Sequence, residues 1–259
     1  MTIRELYAAL EEKIPRSLSC DWDNDGISCA PDLDATVTGI LIALDPTEDA
    51  VEAAVQAGCN VLLTHHPMLF RGLKAVDGRD TGSRKVIRMI QNGITAMAFH
   101  TRLDAVDGGV NDVLAACLGL SNVTPFGDDG NPAGKPIGRV GELPEAVSAD
   151  AFIETVKTAL GLPALYFAGC GKPVRRVAVL GGSGDEDVAA AVAVGADTYV
   201  TGDLKYHQLC DAPYGEINLI EAGHYHTEAP VLGRLAELCR GICSEVPVHI
   251  LRETRVEIR

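Results

Sequence analysis

The chain has 259 residues, 47% of them apolar and 5% aromatic, enough for one large or two modest domains and better suited to helices layered on a mostly parallel sheet than to an all-β sandwich. Twenty-two Lys and Arg stand against 36 Asp and Glu, a formal charge of −14, so the mean surface potential repels nucleic-acid backbones and anionic membranes, while leaving room for a local basic pocket. No apolar run approaches a membrane span and the start lacks the apolar stretch of a signal segment, which predicts a cytoplasmic protein.

The opening "MTIRELYAALEEKIP" reads as an acidic amphipathic helix, and "DWDNDG" after it as a turn held by Trp22 with Asp21, Asp23 and Asp25 exposed. From Val37 the chain reads strand, loop, helix, strand: Thr47 caps the helix, Glu48 and Asp49 suit its first turn, and Gly58 stops it. The second of these strands ends in "NVLLTHHPM", where a buried apolar pattern runs into His65, His66 and Pro67. In a continuing strand the two histidines would point to opposite faces; a break at Pro67 lets both serve one crevice. The next apolar run, "ITAMAFHTRLD", ends with His100 and Asp104 four residues apart.

Residues 121–145, dense in Gly, Pro and Asp, predict turns, short strands and a crossing between lobes, and 148–162 an amphipathic helix capped by Ser148. From Val174 the strand, loop, helix, strand pattern returns. Setting Val51 on Val188 matches Ala53 with Ala190, Ala54 with Ala191, Val55 with Val192, Gly58 with Gly195 and Thr64 with Thr201 without a gap, placing His65 and His66 opposite Gly202 and Asp203. One strand later "INLIEAGHYHTE" ends with His224 and Glu228, again four apart. The expected architecture is therefore α/β, with two related lobes from an internal duplication whose strand ends face a common crevice, the usual place of a site in open α/β sheets. The tail reads as a helix and a strand returning to the first lobe, so that 1–125 with 220–259 form one lobe and 126–219 an inserted second.

Histidines beside carboxylates at strand ends suit zinc, iron, manganese or cobalt, and acidic pairs help neutralise two cations. "GGSG" at 181–184 reads as a tight turn in preference to a phosphate cradle. Lys205, Tyr206 and His207 follow a strand and are read either as substrate contacts and proton carriers or as a solvated helix start. The eight cysteines form no CxxC pair and read as small buried hydrophobes, Cys59, Cys117 and Cys210 among them, with Cys239 and Cys243 structural.

"DWDNDG", "LLTHHPMLF", "HTRLDAVDGGVND", "TGDLKYHQ" and "EAGHYHTE" together resemble, in this order, the GTP cyclohydrolase 1 type 2 homologue, or Nif-three-like, family over nearly the whole chain. The resemblance implies two related α/β lobes, a dinuclear metal site at their junction with two divalent ions per chain, and a ring-shaped homohexamer built as a trimer of dimers. It puts His65, His66, Asp104, His224 and Glu228 at the metal-binding positions, with Glu228 bridging. His100 falls either behind the ligands or near the substrate, and Lys205 and His207, read from their place after a strand, join it in the candidate catalytic set. Arg102 and His226 depart from the family pattern; Arg102 is read either as charge for a substrate phosphate or as a residue of an exposed loop.

Two functional readings follow. One is a metal-dependent hydrolase of a nucleotide or related small molecule, phosphorylated or not, cyclohydrolase-like by resemblance; the other is a non-catalytic metal-binding scaffold or regulatory interaction protein. A nucleic-acid-binding ring is disfavoured by the charge.

Overall fold

The structure, a computed structural model, describes residues 1–127, 130–252 and 254–258. Asp128 and Asp129 of the predicted loop segment, and Glu253 and Arg259 of the tail, lie outside the described residues. In chain order the elements are α1 (Ile3–Lys13), β1 (Gly26–Cys29), β2 (Ile40–Ala43), α2 (Glu48–Gln56), β3 (Val61–Thr64), α3 (Thr81–Gln91), β4 (Thr95–Ala98), α4 (Thr101–Ala105), α5 (Val110–Cys117) and β5 (Ser121–Phe126). They continue with β6 (Gly138–Val147), α6 (Ala149–Leu160), β7 (Tyr166–Ala168), β8 (Val174–Ser183), α7 (Val188–Ala193), β9 (Thr198–Gly202), α8 (Tyr206–Asp211), β10 (Asn218–Glu221), α9 (His224–Glu228), α10 (Val231–Ile242) and β11 (Val248–Ile250). Among the described residues no helix is long and apolar enough to cross a membrane.

The chain forms two compact units, Met1–Leu103 with Leu232–Glu253, and Asp104–Val231 with Thr254–Arg259. The first holds a five-stranded sheet in the order β1-β4-β3-β2-β11. Strands β2, β3, β4 and β11 run parallel and β1 is antiparallel to β4. Helix α1 opens with a reciprocal cap: the Glu5 amide donates to Thr2 Oγ1 at 3.2 Å and the Thr2 amide to Glu5 Oε2 at 2.9 Å. It buries Ile3, Leu6 and Leu10, one helical stripe. In α2, Thr47 accepts from the Ala50 amide as its sequence predicts, and Gly58, at φ 67, follows the helix end. Its Ala50, Val51 and Ala54 pack with Leu41, Ala43 and Leu62, while Ile40, Ile42, Val61 and Leu63, the alternate positions, are also buried. Both faces of these strands are thus covered, which explains their uninterrupted apolar runs. Truncating Leu62, fully buried, would cost on the order of 2–5 kcal/mol.

The second unit holds a six-stranded sheet, β5-β6-β8-β9-β10-β7. Period-two alternation divides its core. Val177, Val179, Val200 and Ile220 meet Phe152 and Val156 of α6, whereas Ala178, Leu180, Tyr199 and Leu219 meet Ala191 of α7. Ser148 caps α6 by accepting from the Ala151 amide. Strands β8, β9 and β10 are parallel and β7 is antiparallel to β10. The succession β7-β10-β9-β8 therefore repeats β1-β4-β3-β2 in order and direction, as an internal duplication predicts.

The unit boundaries differ from those read in the sequence. β5 and β10 belong to the second sheet through their pairing with β6 and β9, so the chain changes unit after Leu103 and Val231. The tail does return to the first unit, where β11 pairs with β2. β6, ten residues long, is no short strand. Cys117 and Cys210 are exposed, whereas Cys20, Cys29, Cys59, Cys239 and Cys243 are buried; burial pushes the Cys239 thiol up to about 12.

Candidate metal centre

β3 is flanked on both sides by parallel neighbours and ends at Thr64, so the break comes before His65, three residues ahead of Pro67, and neither histidine lies in the strand. The His66 amide donates to the Leu44 carbonyl at 3.0 Å and Thr64 Oγ1 donates to the His66 carbonyl at 2.7 Å, fixing the turn. His65, completely buried, donates from Nδ1 to the Phe99 carbonyl just past β4, at 3.0 Å. His66 Nδ1 meets Asp45 Oδ1, just past β2, at 2.8 Å. The strands flanking β3 thus supply the acceptors for the two rings at its end.

His100 follows β4, and its Nδ1 meets Asp23 Oδ1 at 2.9 Å. The other Asp23 oxygen accepts from Thr101 Oγ1 at 2.6 Å and the Thr101 amide at 3.1 Å. Burial works to raise the Asp23 carboxyl, but these hydrogen bonds and the His100 charge outweigh it and hold the group down at about 2. One ligating atom each from His65, His66 and His100 lies within 4.8 Å of the others, and their ring centroids are 4.8 to 5.5 Å apart.

"DWDNDG" is an exposed turn at Asp21 and Trp22, but the side chains of Asp23 and Asp25 are buried. Asp25 is buried and accepts from Arg102 Nε at 2.7 Å, Arg16 Nη1 at 2.8 Å and Ser19 Oγ at 3.1 Å. Arg102 belongs neither to an exposed loop nor to a phosphate site. It is 0% exposed, reaches Glu11 and the Tyr7 hydroxyl at 3.1 Å each, and lies 4.1 Å above the Phe99 ring. Burial opposes its charge, and Asp25, Tyr7 and Glu11 more than offset that, raising its pKa above the ordinary arginine value.

In the second unit, Asp104 is buried on α4, while His224 and Glu228 stand one turn apart on α9, with Nε2 and Oε2 separated by 3.3 Å. His224 Nδ1 meets Asp203 Oδ2 at 2.7 Å. Asp203 is the residue that the internal alignment sets opposite His66, so the repeat keeps a polar strand end and changes its task from ring to acceptor. "GGSG" also differs from its reading as a tight turn: Gly181 and Gly182 lie within β8, under α9. A Cβ on Gly182, at φ +75, would sit 3.1 Å from Glu228 Cδ and 3.3 Å from His224 Nε2, and one on Gly202 2.7 Å from the His224 nitrogen. The glycines let α9 rest directly on the sheet. Thr227 Oγ1 ties it down by accepting from the Gly182 amide at 3.0 Å.

Lys205 is exposed and ion-paired with Asp185, and His207 is exposed on α8 beside the Tyr206 ring, at 5.7 Å. His226, half-buried on α9, is pushed below the ordinary histidine value by burial. Sequence reasoning missed the acceptors Asp23, Asp45, Asp203 and the Phe99 carbonyl. Asp203 carried a signal in the alignment of the two halves; Asp23 carried one only in lying within a quoted motif.

An acceptor at Nδ1 fixes the ring proton there and leaves the Nε2 lone pair to bind a cation, the usual arrangement of metal-binding histidines. His65, His66, His100 and His224 all meet that condition. Imidazole nitrogens with buried carboxylates form a donor set that fits zinc, iron, manganese or cobalt.

A family model described as Duf34/NIF3 (NGG1p interacting factor 3) matches residues 1–255. A "GTP cyclohydrolase 1 type 2 homolog" of Clostridium perfringens is 33% identical, over 92% of this chain and 90% of the relative. Another of Streptomyces coelicolor is 34% identical, over 88% and 82%. Among solved structures, a Staphylococcus aureus hypothetical protein superposes with a TM-score of 0.90 at 28% identity, covering 100% of this chain and 99% of that one. Reduced HcgD from Methanocaldococcus jannaschii does so with 0.83 at 28% identity, covering 97% and 98%. The repeated sheet order, the donor residues and these likenesses agree: the chain belongs to the Duf34/NIF3 family.

Proposed function

We propose that the chain is a metal-dependent hydrolase of a nucleotide or related small molecule, with two divalent cations per chain held by His65, His66, Asp104, His224 and Glu228. The observation that supports this reading is the set of histidines whose Nδ1 is occupied by an oxygen acceptor, so that Nε2 would be the ligating atom. Cations of this class, when bound, lower the pKa of a coordinated water and polarise the bond to be cut. Asp104 and Glu228 would offset the cationic charge. His100, its Nδ1 proton held by Asp23, keeps Nε2 as the acceptor that takes up and returns a proton beside His65 and His66. Lys205 and His207 complete the proposal as substrate contacts. The relatives' cyclohydrolase name directs the substrate search to nucleotides, and the family resemblance extends the proposal to a homohexamer.

The test is elemental analysis of freshly purified protein, combined with a screen of nucleotides, phosphoesters and cyclic amides under zinc, iron, manganese and cobalt in turn. Two ions per chain, lost in His65→Ala and Glu228→Gln together with turnover, are expected. One tightly held ion indifferent to both substitutions would overturn the dinuclear reading. Full loading with no turnover of any compound would favour the scaffold reading instead. Light scattering at micromolar concentration should read six chain masses; a monomer would contradict the assembly.

A further inference from the structure

The chain has a single tryptophan, and Trp22 is 63% exposed, although burying an indole is among the larger single gains open to a fold. Phe70, 49% exposed, stands with its ring centroid 6.2 Å from that of Trp22 and its plane tilted by 59°. His100 closes the corner, 6.3 Å from Trp22 at 79° and 6.4 Å from Phe70 at 88°. The same imidazole lies 5.2 and 5.5 Å from the rings of His65 and His66. Two exposed aromatic rings thus stand directly against the histidine cluster of the first unit.

The corner is held in place by its own loop. Asn24 donates from its side chain to the Leu69 carbonyl, tying the Trp22 loop to the residue before Phe70. Asp23, between Trp22 and Asn24, holds His100 and Thr101, and Asp25 anchors the loop to Arg102 and Arg16. Each polar side chain from Asp23 to Asp25 is engaged inward or sideways, which leaves Trp22 presented outward on a fixed base. A surface set up in advance loses little freedom when it binds.

We propose that Trp22 and Phe70 form a stacking corner for the planar nitrogen heterocycle of the substrate and bring the ring's edge to His100. At 6.2 Å and 59° the two rings lie against each other and form no slot, so a ligand ring would stack on one exposed face with its edge towards the other ring. A nitrogen heterocycle suits the corner better than a hydrocarbon ring, because His100 gives its Nδ1 proton to Asp23 and offers Nε2 as an acceptor for a ring N–H. It also suits it better than a quaternary ammonium ion, because two rings 6.2 Å apart enclose no aromatic cage around a compact cation. The proposal rests on the hydrolase reading for calling the ligand a substrate; the binding itself requires no turnover.

The lone tryptophan makes the test direct. Guanosine and inosine, titrated into the full-length metal-loaded protein, should quench the indole emission to saturation, while ribose and tetramethylammonium should not. Phe70→Ala should weaken binding about 5- to 30-fold, as expected from about 1–2 kcal/mol of ring–base stacking. Trp22→Ala, followed by calorimetry, should do the same, and Trp22→Phe should recover most of the affinity. Unchanged thermal unfolding of the exposed variants would establish that the fold is intact. Quenching by ribose or tetramethylammonium equal to that by guanosine, or no saturation below about 10 mM nucleoside, would overturn the proposal. So would an unchanged KM in Trp22→Ala if a heterocyclic substrate is turned over, and the hydrolase reading would then survive alone. Nucleoside binding lost in Trp22→Ala without any turnover would uphold the corner while the hydrolase reading fails.

Discussion

Arg102 carries a full charge with none of its surface exposed, in a cage of Asp25, Glu11, the Tyr7 hydroxyl and the Phe99 face. Removing one member of a buried ion pair leaves the other charge poorly compensated, a loss on the order of 3–5 kcal/mol. Arg16 still reaches Asp25, so Arg102→Ala should lie at the lower end, about 3 kcal/mol in urea unfolding. An unchanged midpoint would contradict the assignment. Asp23 permits a pH test. Its carboxyl is held at about 2 against an ordinary 3.8, so the stability it contributes is complete above about pH 4 and lost as pH falls through about 2. The difference in Tm between the protein and Asp23→Asn should therefore be widest above pH 4 and close towards pH 2. These two residues also mark where sequence reading fails. Whether an aspartate in a turn motif is exposed depends on its distant partners, here His100 and Arg102, each 77 positions away.

At the scale of elements, α9 rests on β8 with no room for a side chain at Gly182. Gly182→Ala adds both a strained left-handed backbone and a methyl group driven against the Glu228 carboxylate. Gly161, at φ 66 with nothing within 4 Å, offers the control, because alanine there meets strain alone. Gly161→Ala should cost about 1 kcal/mol; Gly182→Ala should cost more and also lower bound metal, read by thermal unfolding and elemental analysis. Equal costs with unchanged metal content would refute the close-packing argument. The elements themselves were largely legible. Thr47, Gly58 and Ser148 act as their residue types predict, because a cap and a helix stop are local events. The strand-end positions of His65, His66 and His100 were legible for the same reason. The acceptors that orient His65 and His66 were not, because they lie 34 and 21 positions away, across strands.

For the whole molecule, the two units differ in how their chain is assembled. Residues 104–231 contain every strand of the six-stranded sheet, whereas the five-stranded sheet needs β11 from the end of the chain. A fragment 104–231 should unfold cooperatively in urea with a native-like far-UV spectrum, and a fragment 1–103, lacking β11 and α10, should not. Cooperative unfolding of 1–103 would show that the returning segment is dispensable. The sequence-based boundaries at 125 and 220 lay some way from the structural ones because β5 and β10 pair into the six-stranded sheet, and strand pairing, unlike helix capping, is settled between separate segments of the chain.

The parallel pairing of β11 with β2 also bears on the order of events during synthesis. β2 leaves the ribosome early, and the edge it offers to β11 must wait for roughly 200 further residues, on the order of 10–40 s at about 5–20 residues per second. Within that interval the second unit's six strands have all emerged. A nascent chain is therefore expected to complete the six-stranded sheet before the five-stranded one, with the edge of β2 left open until β11 arrives.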